Sequence, residues 1–337
     1  MKRFVLCLAS LVLASSPAAS AEQQVKFMLD WAFQGIHGLF TLAEDNGHFA
    51  KEGLAVKIDR GYGSGDTISK VSAGAYDFGL ADVNSLVAFN AKNPNNRVVS
   101  FFVPFDRSEA AIIALKKSGV QSPKDLQGKT IAAPAGTSMR LLFPIFASIN
   151  GVDANSVNWL TATPVVKDTL LLRGQADAVT GFPSTSVLFL ESQGIARSDI
   201  IVLSYANYGL DLLGSGLVAS ESFVQAHPDV VKAFARATIK GMRDGLARPG
   251  DAVASAMKRD ALMQHDLELA RFNILADAAV MTENVKANGL NHIDNERLRR
   301  IIGYVAKSME IASPPRPEEI FRSGFLPPRE ERGISNQ

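Results

Sequence analysis

One cysteine occurs in 337 residues, Cys7, and it lies inside an N-terminal apolar stretch. Once that stretch is removed no thiol remains, which excludes disulfides, cysteine metal ligands and cysteine nucleophiles together. Beyond the N-terminus no continuous apolar run approaches the ~20 residues that a membrane-spanning helix needs. Charge of one sign is missing too: 35 Lys and Arg stand against 34 Asp and Glu, for a formal net charge of +1. That balance gives no reason to expect nucleic acid or an acidic membrane surface as partner. Internal repeats and low-complexity blocks are absent, and isolated histidines such as His37 make no metal or catalytic constellation, so neither metal nor cofactor is expected.

What is present begins with a leader. Lys2 and Arg3 precede an apolar core, Phe4 to Leu13, and then Ala19-Ser20-Ala21. These are the three parts of a secretory signal peptide, with cleavage expected after Ala21. Cys7 lies near the start of the apolar core, whereas a lipid-anchoring cysteine would follow its end, so the mature protein is expected to be soluble and unanchored. Cleavage removes two of the basic residues and no acidic one, which moves the net charge from +1 to −1. With 47% hydrophobic and 20% charged residues, the remainder is long enough for two globular lobes.

The mature chain is organised around the stretch from Val25 to Gly53. Val25, Phe27 and Leu29 alternate as strand residues do, and the run from His37 to Asn46, closed by Gly47, has helical spacing. The segment from Asp30 to Gly38 is then a strand-to-helix turn carrying Trp31, Phe33 and His37. In open α/β sheets such turns lie at the carboxyl edge of the strands, where ligands bind. Strand and helix signals keep alternating as far as Ser204, which predicts mostly parallel sheets covered by helices. The pattern breaks at Pro104 to Ser108, read as a first crossing between lobes, and again within Tyr205 to Ser220, read as the return. The expected organisation is a signal peptide over 1–21, a first lobe formed by 22–104 and 213–337, and a second lobe over 105–212. From Ser222 onward the pattern is helical: Val230, Val231, Phe234, Ala237 and Met242 form one stripe, and Leu298, Ile301, Ile302, Val305 and Met309 another. The proline-rich tail after Ser313 is expected to be a loop pinned by Ile320 and Phe325.

Several spaced motifs carry a resemblance. Leu29-Asp30-Trp31 with His37 six residues after the Trp, Gly47-x-Phe49-x-x-x-Gly53-Leu54, Ser64-Gly65-Asp66, and Val71-x-x-Gly74-x-x-Asp77-x-Gly79 resemble the type II periplasmic binding proteins of ABC transporters. The group includes alkanesulfonate-, riboflavin- and thiamin-pyrimidine-precursor-binding members, and the Trp and His positions are most similar to the pyrimidine-precursor branch. The resemblance implies a two-lobed α/β fold with the ligand cleft between lobes, a periplasmic location, and delivery of a small solute to a membrane permease and its ATPase. A monomer is expected. Pyrimidine synthases share the fold and draw on a pyridoxal phosphate-linked lysine and a histidine, a role His37 would fit. Their cysteine-rich iron-binding segment has no counterpart here.

The candidate ligand residues follow from these positions. Trp31 and Phe33 offer an aromatic wall suited to a planar heteroaromatic, or else pack in the core. His37 either hydrogen-bonds a ligand heteroatom or is a partly buried histidine satisfied by the protein. Ser64, after Gly61-x-Gly63, opens a helix near the same edge. Asp82 and Asn84 follow a strand and either face the cleft or cap the next helix. Gly136, Thr137 and Ser138 open a helix whose N–H groups suit an acceptor, with simple capping as the rival. Phe182 and Pro183 hold the equivalent place in the second lobe, where the pyrimidine-precursor pattern tends to carry a glutamate and this chain has none. Tyr205, Tyr208 and Asp211 gather at the return crossing and suit either a ligand site or an ordinary hinge. An alkanesulfonate or taurine-type ligand is the alternative to a planar ring, and would call for more donors than aromatics.

Overall fold

The computed structural model describes residues 22–135 and 137–334, so the expected leader, its cleavage site and Gly136 lie outside the described residues. Strand β1 (Gln23–Met28) buries Val25 and Phe27 as the alternation requires. A 3-10 turn (Gly35–His37) leads into α1 (Gly38–Asp45), then α2 (His48–Lys51) and β2 (Leu54–Asp59). Next come α3 (Ser64–Ser72), β3 (Phe78–Asp82), α4 (Val83–Lys92) and β4 (Val98–Phe102). The chain crosses over 103–110 into β5 (Ala111–Leu115). There follow β6 (Thr130–Ala133), α5 (Ser138–Ile149), β7 (Asn158–Thr161), α6 (Pro164–Leu172) and β8 (Ala178–Gly181). A π turn (Pro183–Val187) runs into α7 (Leu188–Ser192), and β9 (Ile200–Ser204) completes this sheet.

The chain returns over 205–214 into β10 (Ser215–Ser220), and the rest is helical: α8 (Glu221–Ala226), α9 (Pro228–Ala247), α10 (Pro249–Met257), α11 (His265–Leu275), α12 (Glu283–Asn288) and α13 (Asn295–Ser308). The two sheets have orders β2-β1-β3-β10-β4 and β7-β6-β8-β5-β9. In each, one strand is antiparallel to both its neighbours, β10 in the first and β5 in the second. That reversed strand is the one that has just crossed from the other lobe; the remaining four share a direction, as the βα alternation predicts. β10 itself lies where the sequence reading had only a crossing.

Lobe 1 is built on phenylalanine. Phe78 and Phe234 stack with ring centroids 4.2 Å apart, Phe49 stacks on Phe234 from its other side, and Phe27 and Phe101 meet Phe234 edge-on. This is why α9 covers this sheet: Val231, Phe234, Ala237 and Met242 recur at helical spacing and are all buried. The second stripe, on α13, has a different task. Leu298, Ile301, Ile302 and Val305 are buried against α4 of lobe 1 and α5 of lobe 2 at once, so this helix is wedged between the lobes. The tail is tied in as expected: Ile320 is fully buried, its carbonyl accepts the Ser100 N–H of β4 at 2.7 Å, and Phe325 packs on the lobe 1 core.

Candidate functional site

In both lobes the parallel strands end toward the seam between them. At the lobe 1 edge, the β1 loop and the loop after β2 are laced by backbone bonds, Gly61 N–H to the Trp31 carbonyl (2.8 Å) and Gly63 N–H to the Asp30 carbonyl (2.9 Å). Glycine is required at position 61, because a Cβ there would lie 2.0 Å from the Leu29 carbonyl oxygen. The lacing holds Trp31 half-buried beside Gly63, and Phe33 half-buried against the lobe core.

His37 is 3% exposed and spends both ring nitrogens inside the lobe. The Gln34 N–H donates to Nδ1 at 3.0 Å, which leaves the ring proton on Nε2, 3.3 Å from Asp30 Oδ1. Asp30 Oδ2 in turn accepts from Ser215 Oγ on β10 (2.8 Å). Of the two readings of His37, its surroundings match the histidine satisfied by the protein. Ser64 Oγ accepts the Asp82 N–H, joining the start of α3 to the end of β3. Asp82 caps α4 by accepting the Ser85 N–H at 2.7 Å, and burial raises its carboxyl above the ordinary range against the pull of Ser85 and Asn84. Asn84 donates to Asp82 and to the Leu213 carbonyl of the return crossing, while its buried Oδ1 has no partner among the described residues. With Ser138 at the start of α5, Asn84 lines a cavity of about 10 Å³ closed by Ala88, Leu142 and Val305. That volume is near the lower limit for one water molecule.

In lobe 2 Thr137 is the residue before α5 and Phe182 follows β8, 39% exposed. At the return crossing the surroundings match the hinge alternative. Tyr205 is buried, stacked on Phe146 at 4.4 Å, and its hydroxyl donates to the Met139 carbonyl (2.7 Å); burial pushes the phenol's pKa up. Tyr208 packs edge-on against Phe146 as well. Both belong to the packing of lobe 2, because the return crossing runs along α5. Asp211 is engaged at the hinge: Arg297 of α13 puts Nε 3.0 Å from Asp211 Oδ2 and Nη1 3.0 Å from Asp106 Oδ1, gripping both crossings with one guanidinium. Asp106 is 5% exposed and also accepts from Thr282 and Asn284.

A second junction spans the seam on the other side, and the sequence reading missed it. Glu268 of α11, 4% exposed, accepts the Gly35 N–H at 2.7 Å and pairs with Arg271 one turn on. Arg271 Nε donates to the Ser184 carbonyl in the π turn of lobe 2 (3.2 Å), and Ser184 Oγ donates to Glu109 on the first crossing (2.5 Å). This relay starts four residues from Trp31, passes through Ser184 two residues from Phe182, and ends on Glu109. Also missed was Lys167, buried on α6, whose Nζ lies 2.6 Å from Asp168 and 2.7 Å from Ser186. Burial lowers its ammonium pKa while Asp168 opposes the shift. The available signal was a charged pair inside the largely apolar Val165–Leu172 run, and for Glu109 an acid just before an apolar strand.

Two five-stranded sheets joined by two crossings, with strand ends converging on the seam, define the two-lobed periplasmic-binding-protein fold. The model of the NMT1/THI5-like family matches residues 34–252, and the chain belongs to that family. It is 27% identical over 255 residues to the formylaminopyrimidine-binding protein of Halalkalibacterium halodurans, covering 74% of this chain and 76% of that one. It is also 26% identical over 234 residues to the 4-amino-5-hydroxymethyl-2-methylpyrimidine phosphate synthase of Schizosaccharomyces pombe, covering 67% of this chain and 66% of the enzyme. Among solved structures, the aliphatic sulphonate binding protein SsuA of Escherichia coli superposes with a TM-score of 0.67 at 13% identity, covering 94% of this chain and 93% of that one, a likeness of fold.

Proposed function

We propose that this protein is the solute-binding component of an ABC importer, which captures a small planar heteroaromatic molecule between its lobes and hands it to a permease and ATPase at the inner membrane. The observation that carries the reading is the seam itself. Strand ends from both sheets converge there, a half-buried Trp31 stands on one side and an exposed Phe182 on the other, and the lobes are joined by two crossings, the α13 wedge and a few polar bonds. Such a seam can open and close about the crossings, and a ligand touching both lobes favours the closed form. Trp31, Phe33, Ser64, Asn84, Ser138 and Phe182 are the side chains we assign to the ligand.

Similarity to the fungal synthase raises an enzymatic alternative. Against it, the histidine that would take part, His37, has both ring nitrogens committed to Gln34 and Asp30. Export with cleavage after Ala21 is part of the proposal. Mass spectrometry of protein freshly purified from its own periplasm tests both points. The intact mass should begin at Glu22, and denaturation should release a nitrogen heteroaromatic; release of an alkanesulfonate would overturn the ligand class.

A further inference from the structure

Glu109 precedes β5 by two residues and is 8% exposed. Its Oε2 accepts from Ser184 Oγ at 2.5 Å, and its Oε1 has no hydrogen-bond partner among the described residues. No Lys, Arg or His among them pairs with this carboxylate, since Arg271 turns to the Ser184 carbonyl instead. A buried acid with one idle oxygen and no cation is costly, and native proteins keep such a group where something else completes it. Burial accordingly raises its carboxyl from 4.5 to about 7.

Its place says what completes it. β5 and β8 pair antiparallel with Ala111 opposite Gly181, and the same register carried outward sets Glu109 beside Pro183. That is the carboxyl-terminal edge of a parallel strand, where α/β sheets receive ligands. Phe182, at that edge, is the exposed aromatic of lobe 2, and Thr180, earlier on β8, has a buried Oγ1 that is likewise unpartnered among the described residues. The relay through Arg271 brings lobe 1 to the same point.

We propose that Glu109 Oε1 is the polar contact lobe 2 offers to the bound solute, accepting an N–H from an amino group on its planar ring. The inference rests on the solute-binding reading and narrows it. An acceptor without a balancing cation disfavours a sulfonate or carboxylate, which would bring like charge into a buried place. Lys167 does not offset this, because Asp168 already neutralises it at 2.6 Å. A ring bearing an amino group supplies the missing donor and leaves no group of the pair unsatisfied.

Calorimetric titration of the full mature chain with 4-amino-5-hydroxymethyl-2-methylpyrimidine, with its analogue lacking the 4-amino group, and with taurine tests this. Wild type should bind the amino compound at least about tenfold more tightly than the analogue. Glu109→Met should lose that preference by weakening only the amino compound, and Glu109→Gln, which keeps an acceptor for Ser184, should fall between. A melting curve of each unliganded variant shows that it is folded. Equal wild-type affinity for the two pyrimidines overturns the assignment without any variant. A folded Glu109→Met that keeps the wild-type preference overturns it too, while leaving the solute-binding reading intact. Wild type that binds taurine and neither pyrimidine overturns the ring-ligand reading itself, and this inference with it.

Discussion

The two junctions between the lobes are both built on an arginine, and they differ in how far their charges are compensated. At the hinge Arg297 lies between Asp106 and Asp211, and Asp106 receives further bonds from Thr282 and Asn284. Every strong charge there has an opposite within reach. At the seam Arg271 balances Glu268, but the relay ends on Glu109, an acid that has one unpartnered oxygen and no paired cation among the described residues. At the hinge the charges compensate one another, although Arg297 Nε makes no hydrogen bond among the described residues; at the seam the Glu109 charge has no such compensation there. On the reading proposed above, charge compensation separates the part of the molecule that holds the lobes together from the part that recognises the solute.

The strongest way to break this contrast is to remove the hinge cation. Asp106 is 5% exposed, so Arg297→Met strands a buried carboxylate, at a cost of ~3–5 kcal/mol typical of a broken buried pair. Asp211 is 44% exposed and solvent screens its share, so the loss comes mainly through Asp106. Thermal melting of the unliganded protein should fall by roughly 10 °C. A melting point within a degree or two of wild type would mean that the hinge does not depend on this pair.

The seam should respond with the opposite sign. Glu109 has a folded-state pKa of about 7 against an ordinary 4.5, so the unfolded chain gives up its proton first as pH rises. Stability from this group is therefore fully present below pH 4.5 and is lost progressively up to about pH 7, after which the deficit is constant. A shift of this size corresponds to about 3 kcal/mol. Glu109→Gln should then be more stable than wild type at pH 8, with the gap closing by pH 4. Urea unfolding at the two pH values measures it, and a gap that grows toward acid would reverse the assignment of the raised pKa.

How far the sequence revealed these features follows from what each depends on. The stretch from Val25 to Gly53 was legible because a strand of period two is followed by a helix of period 3.6 that Gly47 closes, all local signals. The βα alternation likewise placed the strand ends, and hence Trp31 and Asp82 at the carboxyl edge of one sheet and Phe182 at that of the other. β10 was not legible: Gly216 gives it no hydrophobic alternation, and its glycine is explained by distant neighbours, chiefly Ser100 Oγ, which would lie 2.5 Å from a Cβ there. Pairings across the chain were not legible either. Arg297 meets Asp211 across 86 positions and Ser184 meets Glu109 across 75, and nothing local marks which acids will be buried. Tyr205 suited either a ligand site or a hinge because aromatics cluster at the return crossing. Its burial against Phe146 depends on α5, which contributes Phe146 from far upstream.

A ligand that supplies the missing partner should also tighten the seam. At ~100 times Kd, binding to the closed form alone adds about 2.7 kcal/mol of stability. For a chain of this length the melting point should rise by a few degrees, and small-angle scattering should report a smaller radius. In Arg271→Met, where the Ser184 bond is lost, the ligand should bind more weakly and the contraction should be smaller. Tight binding with no change of radius in wild type would argue that the lobes do not close.

The smallest expected effect tests the aromatic wall opposite. Trp31 is half-buried and laced in place by Gly61 and Gly63, so its indole has one face left to offer. If that face stacks on a planar ring, Trp31→Ala loses the stacking contribution, roughly 0.5–1.5 kcal/mol, together with apolar contact. The variant should bind at least about tenfold more weakly, equivalent to ~1.4 kcal/mol. Phe at this position should recover much of the loss, because it keeps an aromatic face. Packing in the lobe core would produce a different signature: Ala would lower the unliganded melting point through a cavity cost of ~3–5 kcal/mol and leave affinity alone. Titration beside melting separates the two outcomes, since half-burial predicts that affinity falls more than stability. An Ala variant with wild-type affinity and a collapsed melting point would remove Trp31 from the site and leave Phe182 to carry the aromatic contact.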